Sequence, residues 1–301
     1  MPGLLLWARH LFLSAKNGIV NFFTRPIRRL LLPYLIRRAT SKYPPLKGGY
    51  SAQRLTYGSV LKTRSTQWLS IEAKALEMVR KYTTIPVPRT LDYWQDSDGG
   101  HLIIEYIGDG ELLQQVWKQL THSQRRKVCR TLRDYVQQLR ELVPRPSKES
   151  VSSPNDGAFI DFRISTEKMH GPFPTVADFH DWRLDQFVAF GQLHAPTALR
   201  LGQLRQMMND THPIVFTHGD ISPWNVLVKV DGLEDEDITV VALLDWEQAG
   251  WRPRYWEAVK FMHGKHGEWE ELGWEEIFGG YEQEMKIEDE LLLISGPLLN
   301  T

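Results

Sequence analysis

The sequence predicts an α+β fold in which a small β-rich part precedes a larger, mainly helical part. Three observations predict it. Residues 50–107 give the order β-β-α-β-β, apolar residues recur at helical spacing from Glu111 onward, and a strand pattern returns in residues 226–245. The chain has 301 residues, of which 42% are apolar and 24% charged, a composition typical of a globular protein that can bury a core.

The β-rich part is predicted to span residues 46–107. Residues 54–64 alternate polar and apolar around Gly58, which indicates two strands joined by a tight turn. Residues 68–82 place Leu69, Ala73, Leu76 and Val79 on one face of a helix. Two further strand-like runs, IPVPRTLDYW and HLIIEYI, are separated by the turn cluster QDSDGG.

The helical part is predicted to span residues 108–301. Thr121 with Gln124 three residues later forms a capping-box pattern at the start of one helix, and Thr175 caps another. A hairpin interrupts the helices, with strands at 226–230 and 238–245 around an acidic turn. Trp246 and Trp256, which follow it, are expected to pack in the core.

The N-terminal segment, residues 1–45, is basic and amphipathic. Twelve Lys or Arg precede the first acidic residue, Glu72, and no uncharged run reaches the length of about 18 residues that a membrane span needs. Two interpretations stay open. The segment is either a mitochondrial or membrane-surface targeting sequence, or a basic helix that packs on the domain and is broken by Pro26 and Pro33.

The whole-chain charge and the single cysteine restrict the partners and the compartment. The net charge of −1 gives no support for nucleic-acid binding. Cys129 is alone, so an internal disulfide is excluded, and a reducing compartment is expected. The predicted location is cytoplasmic, with a mitochondrial or membrane-peripheral location as the alternative. Cys129 itself is expected to be a core residue.

The stretch THGDISPWNVLV (217–228) carries the first chemical signal. Asp220 is able to accept a proton from a hydroxyl group, and Asn225 follows five residues later, where a strand begins. Asp245 ends the second strand of the same hairpin, so it should lie beside Asn225. A carboxylate and a carboxamide are oxygen ligands that suit Mg²⁺, which indicates a phosphoryl-transfer site.

A cation for the phosphates is also present. Lys62 lies on a predicted strand of the β-rich part, and Glu72 lies on the helix that follows. A buried lysine needs a carboxylate partner, and Glu72 is the expected one.

These motifs together resemble the aminoglycoside phosphotransferase and protein-kinase-like superfamily, and within it a fungal phosphotransferase-enzyme group. The match covers roughly residues 50–265. It is carried by these segments of the sequence: VLK, IEA, IPVP, LIIEYI, GPF, FTHGDISPWNVLV and LLDWEQAGWRPRYWE. The resemblance implies a bilobal kinase-like fold with the nucleotide between the lobes. His-Gly-Asp and Asp-Trp-Glu stand where protein kinases have His-Arg-Asp and Asp-Phe-Gly, which favours the small-molecule branch.

The resemblance also implies roles for individual residues. Asp220 would be the catalytic base, and Asn225 and Asp245 the Mg²⁺ ligands. Lys62 would bind the ATP phosphates, with Glu72 orienting it. Glu105, Tyr106 and Ile107 would form a hinge that contacts adenine through its backbone. His218 would have a structural role.

The predicted function is therefore ATP- and Mg²⁺-dependent transfer of the γ-phosphoryl group to a hydroxyl of a small-molecule acceptor. The alternative is a nucleotide-binding pseudokinase or interaction protein on the same fold. The alternative is favoured by the phosphate loop, where Gly58 stands in place of the three glycines of protein kinases. The sequence does not indicate which acceptor is used.

Overall fold

The computed structural model describes residues 18–46, 52–97, 99–145, 149–189, 194–262 and 267–295. The chain divides into two compact units. The first runs as far as Gln119 and includes Pro223–Gly232 and Glu236–Glu247; the second contains Leu120–Ser222, Leu233–Asp235 and the chain from Gln248 onward. One unit is built mainly on antiparallel sheets and the other mainly on helices, as the α+β prediction requires.

This division differs from the predicted boundary between residues 107 and 108. The segment 108–119 and most of the hairpin were assigned to the helical part, but both lie in the first unit. The reason is a set of backbone hydrogen bonds that the sequence pattern does not reveal. The Leu243 N–H donates to the Pro86 carbonyl at 2.9 Å, and the hairpin also pairs with a short strand at Glu111–Leu112.

A four-stranded antiparallel sheet forms the main layer of the first unit, with the strand order β1-β2-β4-β3. The helix α2 lies in sequence between β2 and β3 and buries Leu69, Leu76 and Val79, as the sequence predicted, whereas Ala73 is only half-buried. The predicted order β-β-α-β-β is thus confirmed. The elements are β1 (Ala52–Thr56), β2 (Ser59–Arg64), α2 (Thr66–Tyr82), β3 (Thr90–Asp96) and β4 (Gly99–Glu105).

The helix α1, Gly18–Lys42, packs on this sheet. Leu32 and Leu35 belong to the same apolar cluster as four residues of the sheet, Leu55, Leu61, Leu91 and Ile103. Arg29 pairs with the buried carboxylate of Asp92 at 3.2 Å. The described part of the basic segment is therefore a packed helix. Residues 1–17, on which the targeting interpretation also depends, lie outside the described residues.

The expectation that Pro26 and Pro33 break this helix is wrong, because α1 continues through both. A proline inside a helix leaves a carbonyl one turn earlier without its usual donor. Both prolines are exposed, so water can satisfy the carbonyls that they release. Packing of Leu32, Leu35 and Ala39 on the sheet then outweighs the cost of the interruption.

A second sheet of the first unit has the order β10-β9-β5. Its hairpin is antiparallel, with Val226 opposite Leu243 and Val230 opposite Ile238. A short helix and a 3-10 turn follow β5. The elements are β5 (Glu111–Leu112), α3 (Leu113–Val116), the 3-10 turn Trp117–Gln119, β9 (Val226–Val230) and β10 (Ile238–Leu243), with a 3-10 turn Asp235–Asp237 before β10.

Helices dominate the second unit. The capping box at Thr121 and Gln124 is present, and the Thr175 hydroxyl accepts the Asp178 N–H at 3.1 Å, so both predicted helix starts are confirmed. Cys129 is fully buried, as expected. The helices are α4 (His122–Leu142), α5 (Val176–Ala189), α6 (Ala195–Met207), α7 (Trp256–Phe261), α8 (Glu268–Gly273), a π-helical turn Trp274–Phe278 and α9 (Glu282–Ser295).

Two short strand pairs of the second unit were not predicted. They are β6 (Phe159–Asp161) with β7 (Ser165–His170), and β8 (Ile214–Thr217) with β11 (Gly250–Pro253). Every residue of β8 and β11 is buried, so neither strand shows the alternation that marks a strand with one exposed face.

Candidate active site

A cavity of about 390 Å³ lies in the first unit, within the size range of pockets for small ligands. Apolar side chains, including Val60, Ile104 and Leu227, form much of its lining. Polar and charged residues also line it, among them Arg54, Glu111 and Gln115. The predicted site residues that line the cavity are Lys62, Glu105, Tyr106, Ile107, Asn225 and Asp245.

Lys62, on β2, makes a buried ion pair with Glu72, on α2. Its Nζ donates to both carboxylate oxygens of Glu72, at 2.7 and 2.9 Å, and to Oδ1 of Asp245 at 2.7 Å. Burial alone would lower the pKa of Lys62, but the Glu72 and Asp245 carboxylates outweigh burial, and the pKa is raised. The lysine is therefore held in its cationic form in the lining of the cavity.

Asn225 and Asp245 are brought together by the hairpin. Asn225 precedes β9 and Asp245 follows β10, and the Leu244 N–H donates to the Asn225 carbonyl at 2.8 Å. Asp245 has a φ of 64°, in the left-handed region that non-glycine residues seldom occupy. The backbone here turns away from strand geometry immediately after β10, and its carboxylate lines the cavity.

The carboxylates around Lys62 would offer a metal ion oxygen ligands. Carboxylate oxygens of Glu72, Asp245 and Glu247 lie within 4.8 Å of one another. Glu72 is 1% exposed and holds the Lys62 ammonium through both of its oxygens, whereas Asp245 is 36% exposed and contacts Lys62 through Oδ1 alone. Asp245 with the neighbouring residue Asn225 is therefore the better pair of metal ligands. Hard oxygen donors of this kind fit Mg²⁺, which retains several waters.

Glu247 was not predicted as a site residue. It is buried and pairs with Arg64 of β2. Burial, with repulsion from the Asp245 carboxylate, raises the pKa of Glu247 to about 7. The residue belongs to the string LLDWE, so its position two residues after Asp245 was the available signal.

The segment Glu105–Ile107 borders the cavity, but its first two amide groups are already used. The Glu105 N–H donates to the Arg89 carbonyl at 2.9 Å, and the Tyr106 N–H donates to the Gly58 carbonyl at 3.1 Å. The Glu105 carboxylate is paired with the Arg89 guanidinium, at 2.9 and 3.0 Å. In this conformation these two N–H groups therefore do not contact adenine. The groups of the predicted hinge that remain for such a contact are its carbonyls and the backbone of Ile107.

Arg54 forms a stack that the sequence did not reveal. Its guanidinium lies 3.8 Å from the ring centroid of Tyr106 and 4.5 Å from that of Tyr43, just after α1. The same guanidinium donates to the carbonyls of Thr56 and Tyr57 in the β1–β2 turn. The residues Pro44, Pro45 and Leu46 that follow Tyr43 line the cavity. One side chain thus connects the end of α1, the turn and the hinge segment.

Asp220 belongs to the second unit, on the loop that follows β8. Its N–H donates to Nδ1 of His218 at 3.0 Å, and His218 is fully buried. The predicted structural role of His218 is consistent with this contact. Gly219, between them, has a φ of +79°, and a Cβ there would lie 2.6 Å from the backbone oxygen of Gln248. Only glycine fits without displacing the backbone.

Glu257, on α7, fixes the same loop. Its carboxylate accepts the His218 N–H at 2.6 Å and the Gly219 N–H at 2.9 Å. Burial raises the pKa of Glu257 to about 7, although the two N–H groups oppose this change. The sequence signal was the position of Glu257 in RPRYWE, a segment that carried the family resemblance.

The two tryptophans near the site are core residues, as predicted. Trp246 and Trp256 are fully buried. The indole N–H of Trp246 donates to the Leu243 carbonyl at 3.0 Å, and that of Trp256 donates to Asp161 at 2.8 Å. Neither ring is therefore available to stack on a ligand.

Comparison with known proteins decides the family. Residues 44–286 match the model of the Phosphotransferase enzyme family. The chain belongs to this family. By this membership it is classed among the phosphotransferases. The narrower assignment to a fungal group stays a prediction.

Solved structures share the fold at low sequence identity. The GDP and kanamycin complex of the aminoglycoside phosphotransferase APH(2")-IIIa is 12% identical, with a TM-score of 0.60 over 88% of each chain. The ADP-bound form of APH(2'')-Ib is 10% identical, with a TM-score of 0.56 over 86% of each chain. The aminoglycoside 3'-phosphotransferase of type VIII is 17% identical, with a TM-score of 0.51 over 87% of this chain and 98% of that one. Among curated protein sequences, none matches the chain.

Proposed function

We propose that the enzyme transfers the γ-phosphoryl group of ATP, with Mg²⁺, to a hydroxyl group of a small-molecule acceptor. The observation that carries the proposal is the Lys62 ammonium, held by Glu72 and Asp245 in the lining of a cavity that also presents apolar side chains. A nucleotide needs both kinds of contact, because its flat base suits apolar side chains and its anionic triphosphate suits an ammonium group.

Each residue of the first unit then has a defined task. The apolar lining receives the base, and Lys62 binds phosphate oxygens as a point charge. Asp245 and Asn225 would hold Mg²⁺, which neutralises charge on the phosphates when it is bound. On binding of this anionic ligand, the Lys62–Asp245 contact is expected to open, while the contact of Lys62 with both Glu72 oxygens keeps the ammonium in place.

Asp220 is the proposed general base. Its carboxylate accepts the proton of the acceptor hydroxyl as the oxygen forms its bond to the γ-phosphorus and the bond to the β-phosphate oxygen breaks, leaving ADP. Support comes from the spacing of Asp220 and Asn225 in the family motif, and from the rigid loop that Gly219 and Glu257 maintain. Such a base contributes a rate factor of about 10²–10⁴.

The test is an ADP-release assay of the purified protein with ATP and Mg²⁺ against a panel of hydroxyl metabolites. We expect acceptor-dependent ADP release that falls by about 10³-fold in Asp220→Asn, with unchanged ATP affinity and unchanged thermal stability. Full activity of Asp220→Asn would show that another group is the base. The panel should include amino alcohols, sugars and simple alcohols.

The alternative, a nucleotide-binding pseudokinase, makes a different prediction. It is favoured by the β1–β2 turn, where Tyr57 is exposed and Gly58 is the one glycine between the strands. A pseudokinase would show a thermal shift with ATP that does not depend on Mg²⁺, and no ADP release with any acceptor. Loss of stabilisation in Asp245→Ala with Mg²⁺-ATP, but not with ATP alone, would support the enzyme.

A further inference from the structure

The outward face of α1 has a composition that packing on the sheet does not explain. The inward face, with Leu32, Leu35 and Ala39, is buried. Arg29 fixes the helix further, through Asp92 and through the ring of Trp94, whose centroid lies 4.9 Å from the guanidinium. Because these contacts set the rotation of the helix about its axis, the opposite face is held toward solvent.

Three large apolar side chains form a stripe along that face. Ile27, Leu30 and Tyr34 follow one another at spacings of three and four residues, so they lie on one side of the helix. Their exposed fractions are 37%, 82% and 57%. Adjacent exposed apolar residues of this kind often mark a surface that contacts another molecule.

Basic residues flank the stripe. Arg37 and Arg38 follow Tyr34 by three and four residues, and Lys42 follows Arg38 by four, so positive charges lie on both sides of the apolar line. The helix has six Arg or Lys and no acidic residue. Among the described residues, no ion pair involves Arg37, Arg38 or Lys42, so their charge is available to an external anion.

We propose that α1 docks the protein on the surface of a membrane rich in anionic lipid, with the stripe at the level of the headgroups. Apolar residues flanked by Arg and Lys are the pattern of a helix that lies in the plane of an interface. None of the helices among the described residues has both the length and the apolarity that a membrane crossing requires. A second copy of the chain is the weaker occupant, because pairing two such faces would bring like charges together.

Vesicle co-sedimentation of the full chain tests the proposal. Wild-type protein should sediment with phosphatidylcholine vesicles that contain about 30% phosphatidylserine, weakly with phosphatidylcholine alone, and less at about 0.5 M salt. The variant Leu30→Ser/Tyr34→Ser should bind the anionic vesicles about 10-fold more weakly. Arg37→Glu/Arg38→Glu should lose at least as much, because each reversal replaces attraction by repulsion.

Leu293→Ser is the matched control. Leu293 is as exposed as Leu30, 80% against 82%, but it follows the acidic Asp289 by one turn of α9. This variant should bind vesicles like the wild type. All variants should keep a melting temperature close to that of the wild type, because the changed side chains are exposed except for Arg38, which is half-buried.

Four results would overturn the proposal. They are no sedimentation of the wild type with anionic vesicles, equal sedimentation with neutral vesicles, wild-type binding by both α1 variants, and a wild-type dimer that Leu30→Ser/Tyr34→Ser dissociates. The last result would assign the face to a second copy. None of them bears on ADP release, so failure here is distinct from failure of the proposed phosphotransfer.

Discussion

Lys62 and Glu72 form a two-oxygen ion pair, with Nζ at 2.7 and 2.9 Å from the carboxylate oxygens, that joins β2 to α2. The side chain of Glu72 is 1% exposed, so the pair is shielded from water and salt. A contact of this kind fixes the position of the ammonium even when Asp245 turns to another ligand.

Glu72→Gln should therefore reduce catalysis more than stability. Glutamine offers one acceptor oxygen and turns its amide toward the ammonium, so Lys62 is drawn to Asp245 and away from the phosphates. We expect kcat/KM for ATP to fall about 10²-fold, the scale of losing one positioned electrostatic group. Steady-state kinetics at saturating acceptor measures this.

Glu77→Gln is the control for that change. Glu77 lies on the same helix, is exposed, and forms a surface pair with Lys74 at 3.2 Å. Its substitution should leave kcat/KM within a factor of about two of wild type, since such pairs contribute little. Equal effects of the two variants would mean that helix stability, rather than lysine position, is being measured.

Gly219→Ala should disturb the Asp220 loop. Alanine at a φ of +79° is strained, and its Cβ would meet the Gln248 backbone oxygen at 2.6 Å. We expect a loss of unfolding free energy of about 1–3 kcal/mol together with a lower kcat. Urea unfolding and kinetics of the same preparation check both effects.

Gly202→Ala is the companion substitution. Gly202 lies within α6, and among the described residues a Cβ placed there would meet no atom within 4 Å apart from its own chain neighbours and the backbone of the helix itself. This change should stabilise the protein by up to about 1 kcal/mol, through helix propensity, and leave kcat unchanged. A destabilised Gly202→Ala would contradict the open space at this position of α6.

Glu257 predicts a pH dependence of stability. Its folded pKa of about 7 lies above the ordinary value of 4.5, so the folded state binds an additional proton between these values. The contribution of this bound proton to the free energy of unfolding is fully present below about pH 4.5 and is lost as the pH rises through about 7. Its magnitude is up to about 3 kcal/mol. Arg140, Lys260 and Arg252 face this carboxylate, and all three favour its ionised form.

Unfolding curves at about pH 5 and pH 8 isolate this contribution. Glu257→Gln cannot titrate, so the stability difference between wild type and variant should shift in favour of the variant as pH rises. The exposed Glu271→Gln should run parallel to wild type at both pH values. A pH-independent difference between wild type and Glu257→Gln would show that this carboxyl group titrates normally.

Arg54→Ala should weaken nucleotide binding without changing the chemical step. The guanidinium packs on Tyr106 at 3.8 Å and ties the β1–β2 turn through two carbonyls, so its loss frees one side of the cavity. We expect KM for ATP to rise about 3–10-fold, with kcat retained, as for a residue that contributes binding alone. Arg133→Ala, an exposed site on α4, should change neither parameter.

The sequence predicted most elements of the first unit because they follow simple rules. The alternation in RLTYGSVLKTR and the turn cluster at QDSDGG lead directly to β1–β4. The strands β8 and β11 were missed because every one of their side chains is buried. Their pairing depends on partners 33 residues or more apart, which local pattern cannot indicate.

The site was predicted as far as spacing and pairing rules extend. The hairpin brings Asn225 beside Asp245, and Lys62 forms an ion pair with Glu72, both as expected. The direct contact of Lys62 with Asp245 was not predicted, because it joins residues 183 positions apart. The Arg54 stack was missed for the same reason, since Tyr43 and Tyr106 are distant in sequence.

The position of α1 in the core has a practical consequence for recombinant expression. The family match begins at residue 44, yet Leu32 and Leu35 share one apolar cluster with Leu55 and Ile103. A chain cut at the family boundary would expose the outer surface of the sheet to water and is expected to aggregate. The first residue of the family match is therefore not the first residue that the folded unit requires.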